Sequence, residues 1–188
     1  MRRLLPDPGP TTVDEQLAGY EPGKQAHDDR PFVAMNFAAT VDGRATIGGV
    51  SGPIGSDTDT AMLSGLRTRF DAVMIGAGTM RAERYSGLDK RLVVVESGPD
   101  GPADLPALLR SLRGEGVEAL LCEGGPTLHG ALQAADLVDE LFLTIAPKLT
   151  GGGAPSILEG MLPQVTALEL VWLLEEDDEL FARYSRPR

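Results

Sequence analysis

The chain has little of what metal centres, secreted scaffolds and membrane spans are made from. Cys122 is the single cysteine, so no disulfide can close within the chain, and this fits a reducing compartment. His27 and His129 are the two histidines. With one cysteine they are too few for a zinc site, and the His-x-Glu and Pro-Cys-x-x-Cys signatures of nucleobase deaminases are missing. No metal is expected. A Gly-x-Ser-x-Gly elbow is also missing, and two histidines supply no credible triad. Aromatic residues make up 5%, so the core must rest on Val, Leu, Ile and Ala. No run approaches the roughly 20 apolar residues of a membrane helix. Met1-Arg2-Arg3 is basic, but Leu4-Leu5 leads straight into Pro6 and forms no apolar signal core. The expectation is a cytoplasmic protein. Lys and Arg number 17 against 28 Asp and Glu, a net charge of −11. Such a surface repels phosphate backbones and anionic lipids, so neither nucleic acid nor membrane is an expected partner. A phosphorylated small molecule is still compatible, because a local pocket can be lined with backbone amides.

What is present is an ordinary globular balance, 42% hydrophobic over 188 residues, enough for one domain with a sizeable core. Residues 1–30 are rich in Pro, Gly and Asp and read as an N-terminal arm with one short helix at Val13–Tyr20. Residues 31–188 read as the domain. Strands are expected at Phe32–Phe37, Ala72–Ile75, Arg91–Val95, Val117–Leu121 and Asp139–Ala146. Helices are expected at Asp57–Arg69 with Asp57 as N-cap, near Thr79–Arg84, at Leu105–Leu112 with Gly114 and Gly116 ending it, and at Thr127–Ala135. Ala167–Leu174 and Glu179–Ser185 read as a closing hairpin. Strands alternating with helices give an α/β fold, a mostly parallel sheet with helices on both faces and a C-terminal antiparallel hairpin. Ligands of such sheets sit at the carboxyl ends of the strands.

Two glycine turns lie at such ends. Gly76-Ala77-Gly78-Thr79-Met80-Arg81 follows a strand directly. Its glycines allow close backbone approach, and the next helix start offers amides to a phosphate, with Thr79 as its cap. Arg81 stands where the dinucleotide fingerprint requires a third glycine, and no Gly-Lys-Ser/Thr follows for a P-loop. An ordinary tight turn is the competing reading. The second is Glu123-Gly124-Gly125-Pro126-Thr127-Leu128-His129-Gly130, where a buried strand ends in a carboxylate and Pro opens a helix. Two anion sites on neighbouring strand ends suit a pyrophosphate. A solvated strand-end acid is the plainer reading of Glu123, and a structural role is the stronger reading of His129. A third feature, Thr40-Val41-Asp42-Gly43-Arg44, sits in the glycine-rich loop Ala38–Ser56. That loop is either a simple turn or an active-site lid carrying Ser51 and Ser56 as phosphate or ribose contacts.

The order of Thr40-Val41-Asp42-Gly43, Leu66-Arg67, Ala72-Val73-Met74-Ile75-Gly76-Ala77-Gly78-Thr79, Glu123-Gly124-Gly125-Pro126 and Asp139-Glu140-Leu141 through Ala146-Pro147 resembles a known family. It looks like the reductase domain of the bacterial riboflavin-biosynthesis deaminase–reductase, over nearly the whole chain. Arg3-Leu4-Leu5-Pro6 and Asp14 through Ala18 look like its stand-alone members. The resemblance implies a dihydrofolate-reductase-like fold. It implies NADPH-dependent reduction of the ribose of 5-amino-6-(5-phosphoribosylamino)uracil to the ribityl chain. It implies a homodimer paired through the sheet edge, with the apolar strand Leu141–Ile145 needing cover on both sides. The cofactor would lie along Ala38, Gly76, Gly78, Thr79, Met80, Arg81, Glu83, Gly124, Gly125, Pro126, Thr127 and Leu128. Asn36, Ser51, Arg67 and Glu123 would face the phosphorylated pyrimidine, with Arg67 a natural phosphate partner. Glu123 and Asp42 are the carboxylates suited to the chemistry, Asp42 with a mainly loop-shaping part. The chain departs from the family pattern at Asn36, where fused enzymes often carry Lys, in the run Arg84–Arg91, and in the short stretch between Arg91 and Val117. Reduction of another pterin-like substrate, or binding without turnover, are the rival readings.

Overall fold

The computed structural model describes residues 1–83, 88–96 and 103–187. Among these, nine strands form one sheet in the order β2-β1-β8-β9-β7-β3-β6-β4-β5. The parallel part holds β3 (Phe32–Thr40), β4 (Ala72–Gly76), β5 (Arg91–Val95), β6 (Ala119–Cys122) and β7 (Glu140–Ala146). β8 (Glu169–Glu176) and β9 (Glu179–Ser185) form the antiparallel hairpin. The parallel strands are mainly apolar, with few polar residues such as Asn36, Glu140 and Thr144, because helices cover both faces. One face packs Val33, Met35, Met74, Leu120 and Cys122 under α4 (Leu105–Gly114) and α5 (Pro126–Ala134). The other packs Phe32, Ala34, Leu121 and Phe142 under α1 (Val13–Leu17) and α2 (Asp57–Arg69). The alternation of strand side chains assigns each residue to one of these two cores.

Several boundaries shift for local reasons. Ser56, not Asp57, caps α2: its Oγ accepts from the Asp59 amide at 3.2 Å, and Asp57 becomes the first helical residue. The helix expected near Thr79–Arg84 begins earlier, as α3 (Ala77–Ala82) with Gly76 at its N-cap. Thr79 is therefore inside the helix and caps nothing; Arg84 lies outside the described residues. Val117 precedes β6 rather than belonging to it. The first residues do more than trail over the surface. β1 (Arg2–Leu5) pairs with β8 and with β2 (Gly9–Pro10), so this segment extends the sheet. Leu17 and Tyr20 are buried in the second core.

β7 lies inside the sheet, between β3 and β9. The cover that its apolar sequence calls for is thus supplied within the chain. A closed polar network anchors this half. The Arg183 guanidinium donates two hydrogen bonds to Glu140 at 2.9 and 2.5 Å, and the Tyr20 hydroxyl donates a third at 2.8 Å. The Arg30 guanidinium grips Asp139 at 2.7 and 2.9 Å, and Asp139 also accepts from the Val33 amide at 2.8 Å, tying the starts of β3 and β7 together.

Candidate active site

β3, β4, β5 and β6 are mutually parallel neighbours, so their carboxyl ends open on the same edge. β4 and β6 are adjacent, and their two glycine turns interlock. The Gly76 amide donates to the Gly124 carbonyl at 2.9 Å, and the Glu123 amide donates to the Met74 carbonyl at 3.0 Å. Gly124 has φ +110°, a conformation that side chains disfavour. A Cβ on Gly125 would sit 2.8 Å from the Thr79 hydroxyl, so only glycine lets the second turn meet the first. α3 and α5 start at these turns, and neither helix start is capped by a side chain. Their first amides are the orphan donors that every helix start leaves.

Above the turns lies a cavity of about 820 Å³. Asn36, Ala38, Ser51, Gly76, Gly78, Thr79, Arg81, Glu83, Glu123, Gly124, Gly125, Pro126, Thr127 and Leu128 all line it. Met80 does not; it is turned toward solvent on α3. Glu123 is not a solvated acid: its side chain is 3% exposed. Arg67 of α2 reaches it with a two-pronged hydrogen bond at 2.7 and 2.6 Å. Arg67 itself is not in the cavity wall and touches this site through Glu123. Ser51 donates from its amide and its hydroxyl to Glu83, at 2.7 and 2.9 Å, which pins the long loop to the end of α3.

Asp42 lies away from the cavity wall. It accepts from the Thr40 hydroxyl at 2.6 Å and from the amides of Gly151 and Thr150 at 2.8 and 3.3 Å. These bonds, Thr40 first, hold its carboxyl below the usual range. His129 is buried and accounted for: Nδ1 is 2.8 Å from the Ile157 carbonyl, Nε2 is 3.1 Å from the Gln133 amide nitrogen, and the ring stacks on Phe37 at 5.0 Å. Burial lowers its pKa.

Three further cavity residues, Asp59, Thr60 and Leu63, lie on α2 and carry no functional signal in the sequence. Their spacing places them on one helix face, but that face reads as an ordinary first turn until the loop before it folds over. Gly130, the last residue of the second glycine run, has a packing role. A Cβ there would meet the Glu159 carbonyl oxygen at 1.8 Å, so it is the seat for the loop at 156–160. Among the described residues no group of three or more acidic, histidine or cysteine side chains could hold a metal. No helix among them is long and apolar enough to cross a membrane.

The RibD C-terminal domain model matches residues 31–97 and 88–179. The chain belongs to that family. A 2,5-diamino-6-ribosylamino-4(3H)-pyrimidinone 5′-phosphate reductase of Methanothermobacter thermautotrophicus is 28% identical over 184 residues, covering 70% of this chain and 85% of that protein. This family member spans about half the length of the bacterial RibD proteins it also matches. Among solved structures, a pyrimidine reductase-like protein of Corynebacterium diphtheriae superposes with TM-score 0.74 at 19% identity, covering 95% of this chain and 100% of that one. Dihydrofolate reductase of Enterococcus faecalis superposes with TM-score 0.59 at 17% identity over 84% of this chain and 97% of that one. The fold is therefore dihydrofolate-reductase-like, and its relatives are reductases.

Proposed function

We propose that this chain is a reductase of riboflavin biosynthesis that uses NADPH to reduce the ribose of 5-amino-6-(5-phosphoribosylamino)uracil to the ribitylamino product. The observation that carries this reading is Glu123. A carboxylate 3% exposed, held by Arg67, ends the strand that opens the second glycine turn and faces the cavity. The residues present fit the cofactor. Gly76, Gly78, Gly124 and Gly125 bring backbone without side chains to the cavity wall, and a Cβ on Gly125 would press on the Thr79 hydroxyl. The unpaired amides at the two helix starts, those of Gly78 and Thr79 on α3 and of Gly125 and Thr127 on α5, would hold its phosphates. When bound, NADPH supplies the hydride.

The protein's own part is positioning and charge. Glu123 contacts the substrate and stabilises positive charge developing at C1′. Arg67 keeps that carboxylate aimed, so its influence on the substrate passes through Glu123. Ala38 flanks the nicotinamide, and Asn36 and Ser51 face the substrate. Asp42 shapes the loop at its hydrogen bonds to Gly151 and Thr150. The enzyme works in the cytoplasm as a homodimer. Leu168 and Leu170 beside and on β8 are exposed apolar surface that a second copy would cover. NADPH oxidation with the phosphoribosylamino-uracil, but not with dihydrofolate, is the expected result. Turnover of dihydrofolate alone, or cofactor binding with no turnover, would overturn the reading.

A further inference from the structure

The strand order lays the cavity out in a row. β3, β6, β4 and β5 stand side by side, and β5 is the edge strand. Asn36 and Ala38 mark the β3 end, Glu123 and the two glycine turns the middle, and Val95, Glu96, Ala103 and Leu105 the β5 end. Neighbouring strands are about 5 Å apart. A dinucleotide with its nicotinamide at Ala38 and its pyrophosphate over the two turns therefore has its adenosine ribose at β5. Arg81 belongs to this end. It is on α3, which follows β4 and packs beside β5, and it lines the cavity. Among the described residues it is the only lysine or arginine in the wall, against four acidic residues, Asp59, Glu83, Glu96 and Glu123. Its guanidinium has no hydrogen bond or ion pair among the described residues, whereas Arg67 is held by Glu123 and Arg91 by Glu115. The sequence after β5 offers no substitute, because no lysine or arginine occurs between Arg91 and Arg110.

We propose that Arg81 reads the 2′-phosphate on the adenosine ribose of NADPH and so decides the choice against NADH. That phosphate is the one group by which the two cofactors differ. It is a monoester, carrying close to two negative charges at neutral pH. Beside carboxylates it is repelled unless a cation meets it. A guanidinium stays charged throughout the neutral range and offers paired N–H donors that match phosphate oxygens. Glu96 gives the choice its sign. A carboxylate at a strand end accepts hydrogen bonds from ribose hydroxyls and repels a phosphate, so without Arg81 this end of the cavity suits NADH. The inference rests on the proposed reductase reading, which it deepens by naming the residue that selects the cofactor.

The test is fluorescence titration of the whole chain with NADPH and with NADH. The parent should bind NADPH the more tightly. Arg81→Ala should weaken NADPH binding about tenfold to a hundredfold, the worth of one hydrogen-bonded charge pair. Its NADH affinity should change little, which also shows that the variant is folded. Arg81→Lys keeps the charge without the paired donors and should recover part of the loss. A parent with no preference, an Arg81→Ala variant that keeps the parent's preference, or an equal loss of both cofactors would overturn the assignment. So would an Arg81→Ala variant that spares NADPH but loses affinity for phosphorylated 5-amino-6-ribitylamino-uracil and not for its dephosphorylated form, because the cation then serves the substrate. The expected cofactor pattern without NADPH oxidation in the presence of the phosphoribosylamino-uracil would overturn the reductase reading and leave Arg81 in place. A parent that binds neither cofactor overturns both.

Discussion

Two arginine–glutamate pairs are buried in this molecule with almost the same geometry and opposite surroundings. Arg183–Glu140 lies in the antiparallel half, with side chains 18% and 5% exposed. Tyr20 completes it with a third hydrogen bond, and the Arg183 guanidinium lies over the Tyr20 ring, 4.4 Å from its centroid. Burial first, then the Glu140 charge, raises the tyrosine pKa well above its ordinary range, so the hydroxyl remains a donor. Arg67–Glu123 lies in the parallel half, 28% and 3% exposed, with the carboxylate facing the cavity. One pair closes a network between three elements. The other borders the cavity through Glu123. The same pairing chemistry thus occurs once inside a packed network and once at a cavity wall.

Breaking each pair in turn should separate stability from activity. Removing the carboxylate of the closed pair leaves a buried arginine and tyrosine without their acceptor. Glu140→Ala should cost on the order of 3–5 kcal/mol of stability, read as a lowered midpoint in urea unfolding. Turnover per folded molecule should hold. A stable Glu140→Ala variant would mean that the network contributes little. At the open pair, Glu123→Gln keeps size and hydrogen bonding but removes charge. Turnover should fall about tenfold to a thousandfold, on the order of 1.4–4 kcal/mol, with NADPH affinity little altered. A Gln variant that turns over like the parent would make Glu123 another structural acid.

Two smaller effects sharpen the contrast. Gly125→Val sets a side chain against the Thr79 hydroxyl and should weaken NADPH binding at least tenfold (about 1.4 kcal/mol) in a fluorescence titration. Equal affinity would remove the second turn from the cofactor site. The smallest effect belongs to His129, which burial holds neutral. Its folded pKa is lowered, so the unfolded chain binds the proton first as pH falls below the ordinary imidazole value of 6.5. Stability should therefore decline with falling pH below that value and level off below the folded pKa. His129→Gln should lessen this slope, and an identical slope would place the pH dependence elsewhere.

Local signals carried much of the fold. Asp57–Arg69, Arg91–Val95 and Glu179–Ser185 have the same limits in sequence and structure, because their periodicity and flanking turns agree. The departures are where tertiary contacts decide. Arg2–Leu5 carries no strand pattern of its own and becomes one because β8 offers an open edge. Thr79 was read as a cap on chemical grounds; the helix starts two residues earlier, and its hydroxyl instead lies against Gly125. The two glycine turns were visible as turns, but their interlock through Gly76 and Gly124 depends on β6 inserting beside β4, far away in sequence. The place of Asp59 in the cavity wall was illegible for the same reason: Gly55, Thr144 and Glu179 make its environment, and they converge only in the folded chain.

Cys122 has a consequence of another kind. It is the last residue of β6, fully buried between β3 and β4, and burial pushes its thiol pKa up to about 12. A thiol so placed is almost wholly protonated near neutral pH and sheltered from alkylating reagents. Being the single cysteine of the chain, it makes the protein its own reporter. Each labelling event marks one opening of the central strand, so the rate of modification counts how often the floor beneath the two glycine turns comes apart.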